Sequence, residues 1–147
     1  MKIILKSPQI INEISELLIG AELVPTELEK NNLYWFGDKN DKDELIAVIG
    51  VERYSDICLF RSLAVKAEER NKGIGDKLIK EAVSFAISIN INEAYLITST
   101  IAEKMKRYGF VTIDRSSLPH VLKESPFIRE ICPATSCIMY KTLSGSI

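Results

Sequence analysis

The sequence predicts an α/β protein of the α+β kind, in which helices flank one mixed sheet of six to seven strands, most of them antiparallel. Three apolar runs follow one another between residues 33 and 65 with only short polar turns between them, as antiparallel strands do. A helix-like run, Asp76 to Ile89, then separates strand Ile57 to Val65 from strand Ala94 to Thr98. A crossover of this length implies that these two strands are parallel.

The elements before the parallel pair are marked by turn and cap residues. A short first strand is expected near residues 2–6. Ser7 reads as a helix N-cap with Pro8 at the first helical position, and apolar residues then recur at helical spacing up to Ala21. A second short helix is expected after Pro25. The polar run 38–43 predicts a hairpin turn between two strands.

The elements after the parallel pair are shorter. Thr100 and Glu103 have capping-box spacing, which predicts a short helix that ends before Gly109. A strand is expected at residues 110–114, one helix broken near Pro126 at residues 118–131, and a last strand at residues 136–143.

Composition limits the classes of function. The chain has 147 residues, 46% of them apolar and 27% charged, which is typical of one folded domain spanning residues 1–147. A net charge of −1 without a basic tract argues against a nucleic-acid partner. No apolar run is long enough to span a bilayer, and the first apolar stretch is too short for a signal peptide. We therefore expect a cytoplasmic protein without a membrane partner.

The residue types that bind metals are few. The three cysteines, Cys58, Cys132 and Cys137, are an odd number, so reduced thiols are expected. His120, the single histidine, lies in a polar stretch and is expected to be exposed. No metal site is predicted, since neither cysteine spacing nor histidine placement matches one.

The strongest local signal is a basic, glycine-containing loop between the strand Ile57 to Val65 and the helix that follows it. Unpaired N–H groups and the helix dipole meet at such a junction, and both attract anions. Gly73 and Gly75 leave the backbone open to close approach, and Arg70 and Lys72 add positive charge. The sequence therefore predicts a phosphate cradle here.

The spacing of this loop narrows the choice of ligand. Gly75 is followed by Asp76, not by the Lys-Ser/Thr of a nucleoside-triphosphate loop, and a third glycine of the dinucleotide fingerprint is missing. The pattern Arg-x-x-Gly-x-Gly after Leu63-Ala64-Val65 resembles motif A of the GNAT superfamily of N-acetyltransferases. The resemblance implies the GNAT fold with a splayed parallel strand pair, and acetyl-CoA as co-substrate. It places the pyrophosphate on Arg70, Asn71, Lys72, Gly73, Ile74 and Gly75.

Further segments resemble particular groups within the GNAT superfamily. The Gly-Phe pair within 108–110 is similar to the family's helix ending, and the segments 95–100, 114–115 and 118–119 resemble the arsenic-resistance N-acetyltransferases and the acetyltransferase domain of N-acetylglutamate synthase. The neighbourhood of Cys132 and Met139 favours the first group. Both groups act on small molecules with a primary amine. The implied partner is therefore an amino acid or an amino-acid analogue. Whether the chain forms a homodimer is left open at this point.

The resemblance also implies roles near the thioester. The backbone N–H of Val65 is the expected donor to the thioester oxygen, and the backbone of Leu63 is expected to pair with the pantetheine arm. Many members have a general-acid tyrosine four residues before the helix-ending glycine, where this chain has Met105. Tyr108 lies three residues further on and is the substitute candidate acid, although packing in the core is the competing interpretation.

Three residues are candidates for acceptor binding. Strand alternation is expected to place Arg61 on the same side as Leu63 and Val65, where a guanidinium could clamp a carboxylate. A structural ion pair of Arg61 with Glu52 or Asp56 is the equal alternative. Thr98 and Ser99 end the neighbouring strand and could place a hydroxyl in the cleft.

Two classes of function remain at this point. The first is a small-molecule N-acetyltransferase that uses direct attack of the amine on the thioester. The second is a CoA-binding sensor that lost its acid when Met105 took the usual tyrosine position. A protein-modifying acetyltransferase is a third alternative.

Overall fold

The computed structural model describes residues 3–4, 6–98, 100–131 and 136–143. This part of the chain holds seven strands and five α-helices. In chain order these are β1 (Ile3–Ile4), α1 (Pro8–Gly20), β2 (Leu33–Lys39), β3 (Leu45–Tyr54), β4 (Ile57–Val65), α2 (Ile74–Ser88), β5 (Glu93–Thr98), α3 (Ala102–Arg107), β6 (Val111–Ile113), α4 (His120–Lys123), α5 (Pro126–Ile131) and β7 (Cys137–Thr142). No helix in these residues is long and apolar enough to cross a membrane.

The strands form one sheet in the order β1-β2-β3-β4-β5-β7-β6. In the described part of the chain, the only parallel neighbours are β4 and β5, which are joined by the crossover helix α2, while the other five strand pairs are antiparallel. The predicted fold class, a mixed and mostly antiparallel sheet flanked by helices with one parallel pair, is therefore confirmed.

Helices cover both faces of the sheet, and three apolar clusters result. The largest packs α2 and Met105 of α3 against one face. On the opposite face, α1 covers β2 and β3 around Trp35. Next to it, Phe127 and its neighbours in α4 and α5 cover β5 and β7. Since α1 and α5 lie side by side on one face and α2 on the other, the end of β4 is approached from both sides.

The start of α1 follows the predicted capping pattern. The Ser7 side chain accepts a hydrogen bond from the N–H of Ile10 at 3.2 Å, and Pro8 occupies the first turn. The hydroxyl thereby satisfies a donor that the helix itself leaves unpaired. The helix ends at Gly20 and buries one apolar stripe against the sheet.

Two predicted local features are wrong. Residues 21–32 contain no helix after Pro25. The cap of α3 is not Thr100 either, because Thr98 Oγ1 accepts from the N–H groups of Thr100 and Ile101 at 3.1 and 3.0 Å. The N-cap of α3 is Ile101, which has no side-chain cap hydrogen bond, and the Thr98 hydroxyl instead holds the residues just before the helix.

A β-bulge changes the alternation of β4. Val48 pairs with Ala64 but Gly50 pairs with Arg61, so two residues of β4 lie opposite one residue of β3. Ser62, in the bulge, has the left-handed φ of 58°. Residues beyond the bulge therefore point to the other face: Leu63 packs with the α2 cluster, on the face opposite Arg61. The expectation that Arg61 shares a face with Leu63 and Val65 is wrong for this reason.

The parallel pair separates just where the bulge begins. Pairing between β4 and β5 runs from Ile57 opposite Glu93 to Phe60 opposite Leu96, and no pair is formed beyond that point. The remainder of β4 instead pairs with β3 on its other side. A wedge-shaped gap therefore opens between the ends of β4 and β5, as the sequence resemblance implied.

Two glycines give a matched test of the packing. A Cβ at Gly37 of β2 would lie 2.9 Å from the backbone oxygen of Ala47 and 2.5 Å from Ile4 Cδ1, whereas a Cβ at Gly20 meets nothing within 4 Å. We expect Gly37→Ala to lower the free energy of unfolding in urea by about 1–3 kcal/mol, since the neighbouring backbone has to move.

The control variant is Gly20→Ala, which should leave stability unchanged or raise it by up to about 1 kcal/mol, because alanine favours the helix. Equal effects of the two substitutions would contradict the packing described here.

Candidate functional site

The gap between β4 and β5 opens into a cavity of about 610 Å³. One side is formed by α2 and α3 through Ile79, Ile101 and Met105, and the opposite side by the segment after α1 and by α5. The two strand ends form the remaining walls. The cavity therefore passes through the sheet and joins its two faces. Its wall also includes Glu22, Leu23, Val24, Ile49, Phe60, Arg61, Ser62, Leu63, Leu96, Ile97, Thr98, Thr100, Phe127 and Ser136.

The end of β4 directs backbone groups toward this gap. The N–H of Lys66 donates to the oxygen of Ile46 at 2.8 Å, so Lys66 faces β3 in the ladder. In an antiparallel ladder, adjacent residues alternate in direction, so the N–H and C=O of Val65 point away from β3. Arg70 Nε confirms this direction, since it donates to the Val65 oxygen at 3.1 Å.

The predicted phosphate cradle, residues 70–75, follows the end of β4 in the chain. Asn71 and Gly73 both have left-handed φ angles, 64° and 81°, and Gly73 is the N-cap of α2. A Cβ at Gly73 would meet no protein atom within 4 Å, so the space above it is open. The first N–H groups of α2, a helix of 15 residues, point toward that space without intrahelical partners. This geometry suits a bound diphosphate.

The basic residues of the cradle have different neighbours. Lys72 Nζ lies 3.0 Å from Glu69 Oε1, on the exposed side of the loop. Arg70 instead connects the loop to β4 through the Val65 oxygen. Ile74 begins α2 and packs against the α2 cluster, and a Cβ at Gly75 would lie 3.9 Å from Val65 Cγ2. The six predicted residues are therefore consecutive and run from the turn before α2 into its first turn, where Gly75 lies next to Val65 at the end of β4.

Arg61 lies in the cavity wall, but its guanidinium is already bound. NH1 donates to Glu52 Oε2 at 2.9 Å, and both side chains are completely buried. Nε donates to Ser62 Oγ at 3.1 Å, and NH2 donates to the backbone oxygen of Thr26. The ring of Phe127 covers the guanidinium at 4.2 Å. Of the two alternatives for Arg61, the structure has the ion pair with Glu52, while the carboxylate clamp stays a prediction.

Both members of this pair are charged. Burial raises the pKa of the Glu52 carboxyl, but hydrogen bonds from Tyr54 and Arg61 outweigh it, and the net pKa is below the ordinary value. Burial lowers the pKa of Arg61, while the hydrogen bond to Glu52 opposes that change. Since an arginine starts from so high a pKa, it stays protonated near neutral pH.

The other two predicted acceptor residues have different outcomes. Thr98 lines the cavity, although its oxygen already caps the turn into α3. Ser99 lies outside the described residues, as does Cys132. Residues that the sequence did not single out complete the acceptor side, namely Glu22 to Val24, Phe127 and Ser136. Only their position in the folded chain identifies them, because they are far apart in sequence.

Tyr108 is not among the described residues that form the wall of the cavity. Its hydroxyl donates to Asp76 Oδ1 at 2.5 Å, in the first turn of α2, and Lys104 Nζ lies 3.4 Å from the same oxygen. The wall of the cavity at α3 is formed by Ile101 and Met105 instead. Burial, followed by the hydrogen bond to Asp76, raises the pKa of Tyr108 to about 12. These contacts indicate a structural role for Tyr108, and its assignment as general acid stays a prediction.

Other chemically capable side chains are not at the cavity. Cys58 is fully buried in β4, and burial raises the pKa of its thiol to about 12. His120 is exposed and pairs with Glu124 at 2.6 Å. Within the described ranges, no three His, Cys, Asp or Glu side chains are grouped so as to bind a metal ion. Apart from Glu22 and Arg61, the polar groups of the described cavity wall are thus hydroxyls and backbone groups.

Solved structures share this fold. An acetyltransferase of the GNAT family from Staphylococcus aureus has 18% sequence identity and a TM-score of 0.75, with 97% of this chain and 98% of that chain covered. The N-acetylglutamate synthase of Neisseria gonorrhoeae, complexed with coenzyme A and N-acetyl-glutamate, has 18% identity and a TM-score of 0.73. That match covers 97% of this chain but 35% of the synthase, so this chain spans about a third of the synthase's length.

A Mycobacterium tuberculosis protein crystallised in complex with CoA is also similar, with 15% identity, a TM-score of 0.71 and coverage of 97% of this chain and 99% of that chain. No curated protein sequence matches this chain significantly. The model of the acetyltransferase (GNAT) family matches residues 9–110, which include the cradle, the crossover helix and both strands of the gap. The chain belongs to the GNAT family of acetyltransferases, which carry out acyl transfer from acetyl-CoA.

Proposed function

We propose that this protein transfers the acetyl group of acetyl-CoA to the primary amine of a small molecule, an amino acid or an amino-acid analogue. The observation that carries the proposal is the continuity of two features. The backbone at the end of β4 faces the gap, and the cradle Arg70 to Gly75 follows it directly in the chain. A single segment therefore offers groups for both the acyl end and the phosphate end of the co-substrate.

In the proposed binding mode, acetyl-CoA lies along this segment. The diphosphate contacts N–H groups of the turn from Asn71 to Gly75, with Lys72 and Arg70 supplying positive charge. The pantetheine arm enters the gap and pairs with the backbone of Leu63 in the manner of a missing strand. The open space above Gly73 supports this placement, since a ligand there would touch backbone alone.

The reaction we propose needs no protein nucleophile. The lone pair of the neutral amine forms a bond to the thioester carbon, and the C–S bond then breaks. The N–H of Val65 would donate to the thioester oxygen as its negative charge grows. A preset donor of this kind is worth about 2.7–4 kcal/mol. The attacking nitrogen loses a proton to solvent as the amide forms. The departing thiolate takes a proton from solvent, since Met105 occupies the usual position of the acid and has none to give.

The shape of the cavity favours a small acceptor. Its wall on the acceptor side is formed by Glu22 to Val24 and Phe127, with hydroxyls at Ser62, Thr98 and Ser136. Glu22 can attract an ammonium group, and the hydroxyls can donate to a carboxylate. The fold similarity to a synthase crystallised with N-acetyl-glutamate supports an amino-acid acceptor without identifying one.

The decisive experiment follows free-thiol release from acetyl-CoA by the pure protein at mildly alkaline pH. Amino acids, amino-acid analogues and polyamines form the panel, and mass spectrometry identifies the acetylated product. Amine-dependent release supports the transferase. Tight acetyl-CoA binding without release by any amine would contradict it and favour the sensor.

The cradle is tested by Gly73→Ala. We expect acetyl-CoA affinity to fall by tenfold or more, because a Cβ would enter the space left for the ligand and alanine resists the φ of 81°. Isothermal titration calorimetry measures the affinity, and Gly20→Ala is the control. Unchanged affinity of Gly73→Ala in a folded protein would rule out the proposed diphosphate site.

The structural role of Tyr108, whose hydroxyl bonds Asp76, is tested by Tyr108→Phe. We expect kcat to change by less than about threefold, whereas loss of a general acid lowers the rate by about 10²- to 10⁴-fold. The difference in ultraviolet absorbance between wild type and Tyr108→Phe should show a tyrosine that titrates at about 12.

Asp76→Asn should lower that pKa, because the carboxylate that holds the phenol proton is removed. The sign of the effect is fixed by the direction of the shift. A raised folded-state pKa stabilises the fold fully below the ordinary pKa of about 10 and loses that contribution as the pH rises through 12. A large loss of kcat in Tyr108→Phe would instead support Tyr108 as the acid.

A further inference from the structure

The acceptor wall includes a segment without regular structure. Residues 21–32 connect α1 to β2 and contain neither helix nor strand, and their first part, Glu22 to Val24, lines the cavity. Two of these residues, Glu22 and Glu27, have left-handed φ angles of 63° and 47°. A segment of this kind cannot satisfy its own backbone carbonyls, so its shape depends on donors from elsewhere.

Buried side chains of the sheet supply these donors. Trp35 Nε1 donates to the oxygen of Leu28 at 3.0 Å, and Arg61 NH2 donates to the oxygen of Thr26. Both donor residues are nearly or fully buried. Lys30 adds a third connection, because its Nζ lies 3.1 Å from Glu52 Oε1 and 3.3 Å from the hydroxyl of Tyr54. The irregular segment is thus attached to β2, β3 and β4 by these side chains, and its last residue, Asn32, also bonds to the backbone of Arg53 in β3.

Arg61 is the centre of this arrangement. Its guanidinium contacts β3 through Glu52, the irregular segment through Thr26, the bulge through Ser62 and α5 through the ring of Phe127. These are the elements that surround the acceptor side of the cavity. A planar cation with donors in several directions can connect them at once, whereas a lysine ammonium cannot.

We infer that Arg61, oriented by Glu52, is a positioning residue that holds the segment 21–32 and Phe127 against β4 and so sets the width of the acceptor end of the cavity. In this inference Arg61, itself part of the cavity wall, acts on the acceptor through its neighbours in that wall, because its guanidinium already donates to Glu52, Ser62 and Thr26. The inference rests on the proposed function, since it concerns the binding of an amine. It assigns acceptor selectivity to a buried charge network behind the cavity.

Two variants test the inference with different risks to folding. Lys30→Met removes the outer connection, and the Lys30 side chain is 24% exposed, so the fold should persist. Arg61→Lys keeps a cation beside Glu52 but loses the fork of donors to Thr26 and Ser62. The matched control is Lys39→Met, which removes a lysine paired with Asp43 in the turn between β2 and β3.

We expect both test variants to raise the KM of the acceptor by about tenfold, with the KM of acetyl-CoA changed by less than about twofold and with kcat changed less than the acceptor KM. Amide hydrogen exchange should become faster in residues 21–32 and remain unchanged in α2. Lys39→Met should change none of these quantities. A purely stabilising ion pair would instead lower the melting temperature and leave the ratio of the two KM values unchanged.

The outcomes separate the inference from the proposed function. An unchanged acceptor KM in folded Lys30→Met and Arg61→Lys, or unchanged exchange in residues 21–32, overturns the inference. If Arg61→Lys does not fold, Lys30→Met decides alone. If the wild type acetylates no amine, the proposed function fails, and the exchange measurement still decides whether the network holds the segment: faster exchange supports it and unchanged exchange overturns it.

Discussion

The divergence of β4 from β5 is the constraint on which the cavity depends. Pairing stops after Phe60 and Leu96, and the bulge at Ser62 begins at once. The left-handed backbone of Ser62 costs on the order of 1–3 kcal/mol, so the surrounding contacts must offset that cost. The hydrogen bond from Arg61 to the Ser62 hydroxyl is one such contact. Without the bulge, Leu63 would point to the other face of the sheet.

Backbone groups and side chains contribute to different parts of the cavity. In the proposed binding mode, backbone N–H groups at the end of β4 and in the first turn of α2 face the co-substrate, and their direction is fixed by the ladder with β3 and by the helix. On the acceptor side, side chains determine shape, and the Glu52–Arg61 pair lies behind them. A buried ion pair of this kind adds little net stability, but loss of one partner is costly. Its value here lies in fixing geometry.

Much of the fold could be predicted because it follows from local patterns. Periodicity indicated every long element. The glycines of the cradle predicted an anion site, and the structure has left-handed backbone at Asn71 and Gly73 there, while anion binding itself stays a prediction. The bulge could not be predicted, since one extra residue leaves no mark on an apolar strand. It reversed the expected face of Leu63 relative to Arg61. The contacts of Arg61 with Thr26 and of Tyr108 with Asp76 join residues distant in sequence, and no local signal reports them.

The hydrogen bond from Arg70 Nε to the Val65 oxygen connects the end of β4 to the cradle. In the proposed binding mode, this segment of the protein therefore determines how far the thioester lies from the diphosphate. The distance between the acyl carbon and the diphosphate is set within a single stretch of chain, independently of the acceptor wall. Carriers with a shorter arm would be unable to occupy both ends together, while changes in the acceptor wall could alter the amine without altering the choice of carrier.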